Sequence, residues 1–176
     1  HSFRRVLFRL FQDKATLITQ AVDGDLKRFA HHLERAVQEA CSPADSLLRV
    51  AVAYVTFGTA HPQSYRLMFM EPRPASAIEN SSIEFGNASE DAYALARALV
   101  EGLLAGQAVP IDERTIEMAA QMFWEMVHGI TSLRISSGDD PWFHRLPVVE
   151  HVERMVRIFI AGLLHDIGSS ASASVK

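Results

Sequence analysis

Four residues near the C-terminus, His165-Asp166-Ile167-Gly168, spell the H-D-I-G signature of metal-dependent phosphohydrolases. That chemistry needs further metal ligands, including an acidic one later in the chain. The eight residues after Gly168 contain no His, Asp or Glu. The plainer expectation is a helix end, with His165 in its last turn and Gly168 as its C-cap. The remaining histidines form no metal pattern. His31 and His32 are adjacent and point to different sides of a helix, and Glu150-His151 lacks the second histidine of an HExxH pair. No GxSxG elbow, P-loop or GxGxxG loop is present. The single cysteine, Cys41, can build neither an internal disulfide nor a zinc site, and it lies near the acidic Glu39. No catalytic constellation, metal or cofactor is therefore expected.

A different chemistry is concentrated in the middle of the chain. Phe57, Tyr65, Met68, Phe69, Met70, Phe85, Tyr93, Met122, Phe123, Trp124 and Met126 are soft or aromatic. Each alone reads as ordinary core. As a group beside a long polar segment they suit an apolar ligand cavity, because such side chains adapt to irregular apolar shapes. Such a cavity needs only a few polar groups, and His61, Tyr65, His128 and Thr131 are candidates. The expected ligand-binding set is Phe57, His61, Tyr65, Met68, Phe69, Phe85, Tyr93, Phe123, Trp124, Val127 and His128.

The elements that must position these residues are helices nearly throughout; no alternating strand run with hairpin turns occurs. Phe3–Phe11 is short, apolar and basic. Asp13 is a candidate N-cap, so a long helix is expected from Lys14 to Cys41. Ser42-Pro43-Ala44-Asp45 is a helix start with cap, first-position proline and first-turn acid, and that helix is expected to reach Ala60. His61-Pro62 breaks it before a short helix, Gln63–Met70. Glu71–Ser89 is rich in Pro, Ser, Gly and Asn and reads as a long functional or mobile loop. Helices follow at Glu90–Gly106, from Asp112 as cap to Ser136, and at Leu146–Ile167, with a frayed Ser/Ala tail. This predicts an all-α bundle of about seven to eight helices.

Two of these helices carry more apolar surface than a monomer needs. In the helix 112–136 one stripe is Ile116, Ala120, Phe123, Val127 and Ile130, and a second is Ala119, Met122, Met126, Gly129 and Leu133. The last helix has Val149, Val152, Val156, Phe159 and Leu163, widened by Met155, Ile160 and Leu164. Pairing with their own copies across a two-fold axis would bury the excess. The expected dimer interface is Met122, Met126, Leu133, Val149, Val152, Val156, Phe159 and Leu163.

The chain has 176 residues, 48% of them hydrophobic and 22% charged, enough for one domain with its own core and no call for disulfides. Nothing opens it like a signal peptide, no apolar run could cross a bilayer, and the lone cysteine suits a reducing compartment, so a cytoplasmic protein with no membrane partner is expected. Net charge is −4, but unevenly spread: residues 1–14 hold four basic residues against one acidic, the rest thirteen against twenty. A basic end on an acidic body is a common layout for a regulator. The first residue is His1, and a longer parent chain is expected.

Two segments resemble the tetracycline repressor (TetR) family of bacterial transcription regulators. In Val6–Ile18, Leu7, Phe11, Asp13, Lys14 and Leu17 match the family's recognition-helix end and the helix start that follows. Ala53–Phe57, His61–Phe69 and Trp124-Glu125-Met126-Val127-His128-Gly129 are similar to a form of its C-terminal ligand domain named for a Trp-His-Gly element. The resemblance implies an all-α, TetR-like bundle. Residues 1–41 would be the end of a truncated helix-turn-helix plus a connecting helix, its upstream helices absent, and 42–176 a ligand-binding and dimerisation domain. It implies operator DNA as partner, with Arg4, Arg5, Phe8, Arg9 and Lys14 at the DNA. Phe8 replaces the usual Tyr, which removes a phosphate-contacting hydroxyl, and Leu10 stands where His or Tyr is common. The function implied is a homodimeric, non-enzymatic repressor released by a small apolar effector. A metal-dependent hydrolase and a ligand-free dimeric helical module remain the alternatives.

Overall fold

The computed structural model describes the backbone of residues 2–108, 110–138, 140–142 and 144–173, and the side chains of residues 16–169 within those spans. Among the described residues all regular structure is helical: α1 (Ser2–Val37), α2 (Pro43–Ala60), α3 (Pro62–Tyr65), a π-helical turn (Arg66–Met70), α4 (Ala75–Glu79), α5 (Ala92–Leu104), α6 (Glu113–Ser136) and α7 (Val148–Ala173). The all-α expectation holds.

Helix α2 is the hub, packed against α1, α5, α6 and α7. Its buried residues Leu47, Val50, Ala51, Ala53, Tyr54, Val55 and Gly58 fall on several faces, as a central helix requires. It starts as its sequence dictates. Ser42 Oγ accepts from Asp45 N at 3.1 Å, with Pro43 at the first helical position. Asp112 caps α6 the same way, accepting from Thr115 N at 2.8 Å. The cap of α5 is Asp91, which accepts from Tyr93 N at 2.9 Å.

Three expectations are corrected. The chain does not break at Gln12-Asp13-Lys14: α1 is one helix from Ser2 to Val37, so Asp13 is not an N-cap. No Gly or Pro stands at Gln12-Asp13-Lys14, and extending a formed helix adds a hydrogen bond with each residue. Helix α7 likewise runs past Ile167 to Ala173, so Gly168 lies inside it rather than capping it. The segment 71–91 is no free loop. Asp23 of α1, only 4% exposed, accepts from Ser82 N at 2.6 Å and from Ser81 Oγ at 2.8 Å. Arg73 adds an ion pair to Asp23, and Ile83 is buried beneath the segment. Gly86 turns it with φ +89°, a conformation other residues rarely adopt.

Candidate functional site

The aromatic residues singled out by type converge where α1, α2, the π turn and α6 meet. Phe29 of α1 contacts Tyr54, Phe57 and Phe69, with ring centroids at 4.9, 5.1 and 5.4 Å. Trp124 of α6 meets Tyr54 edge-on at 5.2 Å, Phe69 at 5.7 Å and Tyr93 of α5 at 5.6 Å. The Tyr65 ring stacks on His128 at 5.6 Å. Edge-on and tilted rings dominate, the arrangement aromatic quadrupoles favour.

Helical spacing explains the convergence. Tyr54 and Phe57 are three apart on α2, and Trp124 and His128 four apart on α6. The π turn, one residue wider than an α turn, carries Phe69 toward them. Gly58 lets α2 come close: a Cβ there would collide with Thr131 Cγ2 and lie 2.8 Å from Tyr65 Cδ2.

A polar chain runs through this apolar cluster. Tyr54 Oη lies 3.0 Å from Tyr65 Oη, which lies 2.6 Å from His128 Nδ1. Tyr54 and Tyr65 are fully buried, and Thr131, also buried, turns its hydroxyl to Val127 O at 2.7 Å. A buried donor left without an acceptor is costly, and this orders the protons. Tyr54 donates to Tyr65, and Tyr65 donates to Nδ1 of His128. The ring proton of His128 then sits on Nε2. Burial keeps these groups neutral. It raises Tyr54 well above the usual phenol range, pushes Tyr65 up to about 12 and lowers His128. At the rim, Tyr93 Oη donates to Glu117 at 2.6 Å, and Tyr93 too is raised to about 12, by burial and by that carboxylate.

Of the expected ligand-binding set, Phe57, Tyr65, Phe69, Tyr93, Trp124 and His128 join the cluster, and His61 touches its Phe57 edge at 4.6 Å. Met68 and Val127 are buried in the core. Two members stand elsewhere: Phe123 pairs with Phe159 of α7 at 5.8 Å, and Phe85 is 58% exposed on the 71–91 segment. Phe29, Tyr54 and Gly58 were not expected as site residues. The signals for Tyr54 were its three-residue spacing from Phe57 and its place in the Ala53–Phe57 segment that carries the family resemblance.

On the outer side of α6 and α7, Met122, Leu133 and Val149 are exposed, together with Met118 and Ile158. Met126 is half-buried and lines a recess of about 540 Å3 with Gly129, Ile130, Leu133 and Met155. Val152 and Val156 turn the other way, fully into the core, so within this interface set they are corrected to core residues. Helix α7 packs on α2, which takes the face that carries them. Phe159 and Leu163 are half-buried against the same core. The residues expected at DNA, Arg4, Arg5, Phe8, Arg9 and Lys14, lie outside the described side chains. His165 and Asp166 are exposed on α7, and the described residues contain no cluster of three or more His, Cys, Asp or Glu placed to hold a metal. No described helix is long and apolar enough to cross a membrane.

Residues 47–163 match the family described as the tetracycline repressor-like C-terminal domain. The chain belongs to this family. In general terms it is thus a TetR-like, ligand-responsive transcriptional regulator. A solved structure of a protein of unknown function from Rhodococcus sp. RHA1 superposes with a TM-score of 0.63 and 26% identity. That likeness covers 83% of this chain and 72% of the other. No curated protein matches. In this family member the matched span takes in α3, α4, α5, α6 and most of α2 and α7, with every cluster ring except Phe29.

Proposed function

We propose that this TetR-like protein is a homodimeric DNA-binding repressor whose ligand domain is of the Trp-His-Gly form. A small, uncharged, largely apolar effector releases it from its operator. The observation that carries the reading is the buried Tyr54–Tyr65–His128 chain inside the ring cluster. A site with aromatic walls and neutral polar atoms rejects a charged ligand, because the ligand's lost hydration would not be repaid. The proton on His128 Nε2 calls for a hydrogen-bond acceptor on the effector, such as a carbonyl or ether oxygen.

The rest of the device follows from position. Residues 1–41, with Arg4, Arg5, Phe8, Arg9 and Lys14, serve the DNA side, and the four cations among them supply positive charge. Residues 42–176 bind the effector and the partner subunit. Helix α1 joins the two, carrying the basic end and Phe29 on one rod about 54 Å long. An effector that displaces Phe69 or Trp124 alters what Phe29 packs against, and so biases the rod. It releases DNA only if it binds the released arrangement more tightly. The exposed Met122, Leu133 and Val149, with the half-buried Met126, form the subunit interface.

The test is a fluorescence-anisotropy titration of the full-length protein onto its own promoter DNA and onto a scrambled duplex, at two salt concentrations. Promoter binding at least about a thousandfold tighter than scrambled, weakening as salt rises, is expected. Equal weak binding to both would overturn the repressor reading.

A further inference from the structure

On the seam between α1 and α2 lies a recess of about 560 Å3 whose chemistry differs from that of the effector cluster. Its walls are Arg28, His31, His32 and Arg35 of α1 and His61 at the end of α2, with the half-buried Phe57 between them. The four α1 residues sit at i, i+3, i+4 and i+7, one helical face. No carboxylate lines the recess. Arg28 and His31 have acidic neighbours along α1, Asp25 and Glu34. Arg35 has no carboxylate within ion-pair distance among the described residues. In a chain of net charge −4, a recess that holds a guanidinium with no carboxylate partner marks a place for an anion.

The recess also offers an aromatic surface. Phe57 is flanked by two imidazoles, His32 at 5.4 Å tilted by 45° and His61 at 4.6 Å tilted by 55°. Burial, with Arg35 and His61 beside it, holds His32 below its usual range, and its ring N–H is turned to the Ala53 carbonyl, so His32 is an aromatic wall of the recess. One guanidinium without a carboxylate partner balances a single negative charge better than a double one.

We propose that this recess binds a small aromatic monocarboxylate. The carboxylate takes the Arg35 guanidinium and the His61 imidazole N–H, and the ring lies against Phe57. The recess adjoins the effector cluster and shares Phe57 with it, but it uses none of Tyr54, Tyr65 or His128.

The experiment is an NMR titration of the full-length protein with benzoate, following the imidazole ring signals, with His32→Gln and His61→Gln used to assign them. Benzyl alcohol, acetate and inorganic phosphate are the comparison probes. Saturable shifts at His32 and His61 with benzoate are expected, at least about tenfold stronger than with any comparison probe. Arg35→Gln, an exposed change that leaves the melting temperature in place, weakens benzoate about tenfold. Phe57→Leu weakens benzoate but not acetate. His128→Gln leaves benzoate binding unchanged, so the result is independent of the effector reading. The proposal is overturned by silent His32 and His61 signals or by full affinity in Arg35→Gln. It is equally overturned by benzyl alcohol or phosphate binding as well as benzoate.

Discussion

The molecule has two tryptophans, and their surroundings divide it. Trp124 on α6 is held by Tyr54, Phe69 and Tyr93 in a set of interlocked rings threaded by a polar chain. Trp142, in the connection from α6 to α7, is 90% exposed, and Met122, Leu133 and Val149 on α6 and α7 likewise meet solvent. The inner region is closed around its own side chains, and a ligand entering it must replace contacts already made. The outer region is open, and what covers it gains area at little cost to the fold. In the function proposed above, the same residue types serve as effector site inside and as subunit interface outside. Substitutions inside should cost stability of the monomer, and those outside should cost association alone.

The largest effect should come from Phe29→Ala. It removes a fully buried ring touching three others and is expected to lower the unfolding free energy by about 3–5 kcal/mol in denaturant titration. A loss under about 1 kcal/mol would mean the cluster is loosely packed and the contrast fails. Next is Gly58→Ala, which forces a methyl against Thr131 and Tyr65 and should cost about 1–3 kcal/mol. It should also disturb the His128 ring signal, since the hydroxyl beside that ring moves. Leu133→Asp, at a position 64% exposed, tests the other side. Sedimentation equilibrium should find the dimer weakened at least about tenfold, with the variant monomer as stable as wild type within about 0.5 kcal/mol. An unchanged dimer would remove Leu133 from the interface.

The smallest effect is on pH dependence. His128 and His32 are both held below 6.5, chiefly by burial. The unfolded chain therefore binds more protons than the folded one as pH falls below 6.5. Stability is full above that value and declines through the acid side. His128→Asn should flatten part of that decline in melting curves across the range, and a decline of unaltered size would place its cause elsewhere.

The sequence foretold what is local. Ser42 and Asp112 cap the helices they were expected to cap, because a cap needs only its own side chain and the amides that follow. Trp124, Tyr65 and His128 were recognisable by residue type and spacing. Asp13 misled because a capping side chain does not end a helix that nothing else interrupts. Val152 and Val156 misled because a stripe on a helix does not say which side meets α2. Tyr54 and Phe29 went unassigned because their part in the site exists only once α1, α2 and α6 are packed. Asp23 is similar: its partners lie more than fifty residues away, at Ser81 and Ser82.

The most direct test of the account joins the inner region to DNA release. In the full-length Trp142→Phe protein, Trp124 becomes a reporter of the cluster, and a panel of neutral, apolar carbonyl compounds can be titrated against its fluorescence. Compounds that quench Trp124 should release promoter DNA over the same concentration range. His128→Phe should still bind the promoter but lose that release. Quenching without release, or full release in His128→Phe, would contradict the claim that this cluster is the effector site.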